Sequence, residues 1–126
     1  MSDDSNIKGP KTNTEVRQWY LDRVATILDL NQEWIKQGLS PRERAEAAWR
    51  IRHEARLEAR SMMANLAEVE LLRTRDMAKY GSTDGPTFDS LVERLREAGL
   101  EGDEVYEAII DHSYKTDAEL NKKLGF

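Results

Sequence analysis

The stretch SPRERAEAAWRIRHEARLEARSMMA, residues 40–64, decides the fold. It opens on Ser40-Pro41-Arg42-Glu43. There a hydroxyl accepts from the amide three residues on, a proline takes the first turn where its missing N–H is not needed, and a glutamate reaches back to the cap. On a helical wheel of about 100° per residue, Ala45, Ala48, Trp49, Ala55, Ala59 and Met63 fall on one side. Glu43, Glu46, Arg50, Glu54 and Glu58 fall largely opposite. Arg52 and Arg56 break the pattern by landing inside the alanine-rich face, with Arg60 and His53 on its flank beside Trp49. The four-residue spacing of Arg52, Arg56 and Arg60 lines them up at about 6 Å per step.

Working outward, further helices flank this one. Thr12-Asn13-Thr14-Glu15 has the spacing of a capping box, and Val16, Trp19, Tyr20, Val24, Ile27, Leu28 and Trp34 then recur at three- and four-residue steps until Gly38. Downstream, Asn65 with Glu68 either caps a third helix or marks a kink. The segment 66–79 carries Val69, Leu72 and Met77 and stops at Tyr80-Gly81. Ser82-Thr83-Asp84-Gly85-Pro86 is a loop. A fourth helix is predicted over 87–98 with Phe88, Leu91, Val92 and Leu95 on one face, ended by Gly99-Leu100 in a Schellman turn. Gly102-Asp103 opens a fifth, with Val105, Tyr106, Ile109 and Ile110, and Thr116-Asp117-Ala118-Glu119 opens a short last one closed by Gly125. No segment alternates with the period of two that strands require. The prediction is an all-α fold, one compact domain of about five to six helices without β-sheet over 12–126, preceded by a disordered leader or linker over 1–11.

Composition narrows the function classes. The 126 residues carry a net charge of −5, which argues against indiscriminate nucleic-acid binding, because neutralising phosphates is what supplies such affinity. Any such contact needs a local basic strip. The chain has no cysteine, which excludes disulfide scaffolds, thiol nucleophiles and cysteine zinc sites. No run approaches the about 18 apolar residues of a membrane span, and residues 1–11 contain no secretory signal, so the expected location as made is the cytoplasm. With two histidines and no HExxH or EF-hand spacing, no metal is expected; with no Walker loop or GxGxxG, no cofactor is expected either.

An arginine keeps its charge and is costly to bury unpaired, so Arg52, Arg56 and Arg60 must meet carboxylates, helix-end carbonyls or a bound anion. One reading is an internal ion-pair network with Asp76, Glu70, Asp84 or Asp103. The other is an anion-recognising or catalytic cleft, in which forked guanidiniums with Trp49 grip phosphate or carboxylate and His53, helped by Asp84 or Asp76, handles a proton. The turn Asp84-Gly85-Pro86-Thr87 is either a simple connection or the mount of a functional Asp. His112 reads as an exposed or dipole-facing helix-end histidine, and Trp19, Tyr20, Trp34 and Trp49 as core.

Several segments carry a resemblance. Ile51-Arg52-His53-Glu54-Ala55-Arg56-Leu57-Glu58-Ala59-Arg60, Val69-Glu70-Leu71-Leu72-Arg73-Thr74-Arg75-Asp76, Tyr80-Gly81, Asp84-Gly85-Pro86-Thr87-Phe88 and Gly102-Asp103-Glu104-Val105-Tyr106 together resemble the variable C-terminal region of Rhs-repeat and PAAR-containing polymorphic toxins. Such toxins are exported by bacterial type VI secretion systems. The resemblance spans about Glu15 to Gly125 and carries no catalytic signature. It implies an antibacterial effector domain, secreted without a signal peptide into a competing cell and neutralised by a cognate immunity protein. Combined with the arginine face, it leads to the expectation of a phosphate-bearing substrate, nucleic acid or nucleotide. The alternative is a non-enzymatic helical interaction module, an adaptor, chaperone-like or immunity-type partner with its arginines in structural pairs.

Overall fold

A computed structural model describes residues 12–114 of the chain. Five helices occur among them: α1 (Asn13–Lys36), α2 (Pro41–Met62), α3 (Leu66–Tyr80), α4 (Phe88–Glu97) and α5 (Glu104–Ser113), with no strand. The leader expected over 1–11 and the helix expected over 116–125 lie outside the described residues.

The caps form where side-chain chemistry places them. Thr12 and Glu15 close a reciprocal box at α1, Ser40 and Glu43 at α2, and Thr87 and Ser90 at α4. The Ser40 amide holds the Glu43 carboxyl below its usual range by donating to the charged form. Asn65 accepts from the Glu68 amide at 3.1 Å and Met63 is extended, so α2 and α3 are separate helices rather than one kinked rod. Gly99 (φ +103°) ends α4 as expected, and Leu100 donates back to the Leu95 carbonyl at 3.1 Å. Asp103 precedes α5 but its side chain makes no cap bond; the Glu104 carboxylate instead accepts from the Glu101 amide.

α2 is the central element, packed against α1 and α5, while α4 packs on α5. Ala45, Ala48 and Ala55 of α2 are buried among Val24 and Ile27 of α1, Leu91 and Leu95 of α4, and Val105, Ile109 and Ile110 of α5. Alanine on the central helix is what lets α1 and α5 approach, because each contact face lacks bulk. Trp19, Tyr20, Trp34 and Trp49 pack partly buried against this core, whereas Leu28 sits off the buried stripe of α1.

α3 is different. Its one buried residue is Asp76, while Leu66 and Leu71 are more than two-thirds exposed and Met77 is half exposed. Of the apolar residues expected to seat this segment, Met77 is half exposed and Val69 and Leu72 are only half-buried, and none joins the core. Polar ties hold it instead. Arg60 bonds the Asp76 carboxylate, Asn13 bonds Glu68 at 2.9 Å, and Arg94 donates to the Lys79 carbonyl at 3.2 Å while lying 5.3 Å from the Tyr80 ring centroid.

Two outcomes follow for stability. Asp76→Ala takes the carboxylate from the part-buried Arg60, which keeps its bond to the Thr83 carbonyl, and should cost about 1–3 kcal/mol in urea unfolding. A loss below about 1 kcal/mol would show that the pair does not hold α3. In native-state hydrogen exchange, amides of α3 should open before those of α2 and α5.

Candidate functional site

The basic row on α2 is longer than the three arginines expected. Arg44, Ala48, Arg52, Arg56 and Arg60 recur every four residues. A four-residue step on a helix of about 3.6 residues per turn rotates by about 40°, so the row winds around α2 rather than forming one straight line. The guanidiniums consequently spread over several neighbours. Arg44 bridges α1 and α5, donating to Asn31 Oδ1 at 3.0 Å and to the Glu107 carboxylate at 2.7 Å. Arg52, only 3% exposed, donates to the His112 and Ser113 carbonyls at 2.8 and 3.0 Å. Those carbonyls lie at the C-terminal end of α5, where peptide dipoles sum to a partial negative charge and lack intrahelical donors.

Arg56 and Arg60 turn to the α3–α4 connection. Arg56 donates to the Asp84 carbonyl at 3.2 Å, and Arg60 to the Thr83 carbonyl at 3.0 Å and to Asp76. Gly85, at φ +93°, lets the loop backbone close on Arg56: a Cβ there would stand 2.8 Å from Arg56 Nη1. The turn is thus more than a connection, since its carbonyls face the α2 arginines. Of the four carboxylates expected as partners, Asp76 meets the row. Asp84 supplies its backbone, and Glu70 pairs with Arg73 on its own helix. His112 is buried rather than exposed, and its carbonyl faces Arg52.

His53 stacks on Trp49 with ring centroids 4.7 Å apart and planes 11° from parallel, and Trp49 meets Phe88 edge-on at 6.3 Å. Arg56 Nη1 lies 3.3 Å from His53 Nδ1. A guanidinium only donates, so Nδ1 accepts and the neutral ring carries its proton on Nε2. Burial, and next the Arg56 charge, push the imidazole below its ordinary pKa against the opposing pull of Asp84. The ring is therefore uncharged at neutral pH.

Two cavities adjoin these residues. A small one of about 30 Å³, room for one water, lies among Trp49, Arg52, Arg56, Leu91, Ile109 and Ser113. A larger groove of about 260 Å³ opens between α1, α2 and α3, with Arg56 and Arg60 on its wall. His53, Asp84 and Asp76 line neither. The groove adds Arg17, Tyr20, Glu68 and Arg75, which sequence reasoning missed. Arg17 and Arg75 are exposed residues on the flanking helices, and only the docking of three helices brings them together. Among the described residues no group of His, Asp and Glu can hold a metal ion, and no helix is long and apolar enough to cross a membrane.

The lowered His53 pKa has a definite sign. An imidazole harder to protonate in the folded chain contributes stability that is complete above about pH 6.5 and is lost as the pH falls through its folded value. His53→Gln keeps an acceptor that does not titrate, so its stability should fall less steeply below about pH 6.5 than that of the parent. Parallel pH profiles would contradict the assignment. Gly85→Ala forces a strained backbone against Arg56 and should cost about 1–3 kcal/mol, read as a lowered Tm. Compared with protein families, curated proteins and solved structures, the chain matches none.

Proposed function

We propose that the chain is an antibacterial effector domain that acts, inside a competing cell, on a phosphate-bearing substrate, nucleic acid or nucleotide, and is restrained by a cognate immunity protein. The observation that carries this reading is the groove beside Arg56 and Arg60. Four arginines line it, beside the one carboxylate of Glu68, on a chain whose net charge is −5, so the basic lining is a local arrangement and not a reflection of composition. Forked guanidiniums are suited to phosphate oxygens, and aimed in advance they favour a developing phosphate charge. His53, uncharged and one turn from Arg56, would accept a proton at Nδ1 once Arg56 turned from it to the substrate, with Asp84 stabilising the imidazolium that results. Arg52 and Trp49 position the row and the ring, and Asp76 orients Arg60. The segment resemblance to Rhs and PAAR toxins supplies the antibacterial setting.

A second reading is favoured by one specific observation: Arg52, Arg56 and Arg60 all donate to backbone carbonyls inside the fold. In a non-enzymatic interaction module those bonds would be the arginines' whole purpose.

Induced production of the full chain in a bacterial host, without any partner, separates the two. The effector reading expects growth arrest, relieved at least about tenfold in viable count by Arg56→Ala at matched soluble level and unchanged circular dichroism. Unaffected growth with the parent chain would overturn it. An interaction module expects normal growth, with Arg56→Ala lowering Tm alone.

A further inference from the structure

The groove between α1, α2 and α3 is shaped for more than an anion. Arg17 comes from α1, Arg56 and Arg60 from α2, and Arg75 from α3. Asp76, buried behind them, accepts from Arg60 and lies 3.5 Å from Arg75, so one carboxylate is shared by two of the four cations. Against these four guanidiniums stand the carboxylates of Asp76 and Glu68, and a bound anion would relieve the repulsion among the cations.

A carboxylate offers two oxygens and engages one or two guanidiniums. A phosphate monoester presents three terminal oxygens with nearly two negative charges, which suits arginines converging from three helices. Between the cations the lining is apolar, with Ala59, Met63 and Leu72. At the α1–α3 end sits Glu68, one of its oxygens held by Asn13. A carboxylate placed there repels a second anionic group but accepts readily from a sugar hydroxyl, the role acidic residues play toward ribose in dinucleotide sites. The volume of about 260 Å³ falls just below the roughly 300–1,000 Å³ of drug-sized ligand pockets, which suits a small ligand, and is far too small for a duplex.

We propose that this groove binds a nucleoside monophosphate, with its phosphate among the four arginines, its ribose at Glu68 and its base on the Met63–Leu72 surface. The proposal rests on the reading of Arg56 and Arg60 as anion-binding groups. It adds Arg17, Arg75 and Glu68 as binding residues, and narrows the ligand to a small ribose phosphate.

Calorimetric titration of the full chain with AMP, with inorganic phosphate and adenosine in parallel, tests it. One saturable site for AMP is expected, at least about tenfold tighter than either comparator and weakened by added salt. Arg17→Gln/Arg75→Gln, at two exposed positions, should raise the Kd for AMP at least about tenfold with Tm little changed; Arg17→Gln alone serves if the pair is unstable. Glu68→Gln should weaken AMP and leave phosphate untouched. Absence of saturable AMP binding, phosphate binding as tightly as AMP, or an unchanged Kd in the arginine variants would overturn the proposal. Growth arrest by a chain that binds no AMP would sink this inference and leave the effector reading standing. AMP binding by a chain that arrests nothing would do the reverse.

Discussion

An arginine inside a protein keeps its charge, so a helix that turns arginines toward its neighbours dictates what those neighbours must present. α2 does this along most of its length, and the surrounding structure answers with oxygen. α5 offers the carbonyls of its C-terminal turn to Arg52, the α3–α4 loop offers those of Thr83 and Asp84, and α3 offers its one buried side chain, Asp76. The alanines between the arginines perform the complementary task of letting helices close enough for those bonds to form. Apolar packing joins α1, α2, α4 and α5, and charge-assisted bonds attach the rest.

This division has a consequence for the groove. A wall held by apolar packing would be closed and dry. α3 is held at its ends and at Asp76, with Leu66 and Leu71 turned to solvent, so a space remains between it and the α1–α2 pair. The same arginines that anchor α3 and its loop line that space. Anchoring and anion recognition therefore draw on one set of guanidinium donors, and a ligand entering the groove would compete directly with Asp76 and the loop carbonyls.

The helices were legible in the sequence because their signals are local. Thr12 with Glu15, Ser40 with Glu43, and Gly99-Leu100 each fix a boundary through bonds within a few residues. The anomaly of Arg52, Arg56 and Arg60 was legible too, since a charge on an alanine face contradicts its own period. What they bond was legible in kind, since Asp76 and helix-end carbonyls were both expected. Which arginine meets which was not, because the winding of a four-residue row spreads it over three partners and backbone carbonyls leave no mark in side-chain identity. Val69, Leu72 and Met77 suggested a seated third helix by the same periodicity that correctly seated α1 and α4, yet Val69 and Leu72 are only half-buried and Met77 is half exposed, so all three stay outside the buried core. Arg17 and Arg75 belong to surfaces whose only sequence signature is polarity, so their convergence follows from tertiary docking alone.

That α2's guanidiniums are fixed structural donors is the claim on which the rest turns, and nitrogen-15 NMR of the arginine side chains addresses it most directly. Buried, bonded guanidiniums exchange their protons slowly and rotate slowly about the Cζ–Nε bond. Resolved, exchange-protected Nη resonances are predicted for Arg52 and Arg60 at neutral pH, beside averaged, rapidly exchanging signals from the exposed Arg50. Signals of Arg52 and Arg60 as averaged as that of Arg50 would contradict the account.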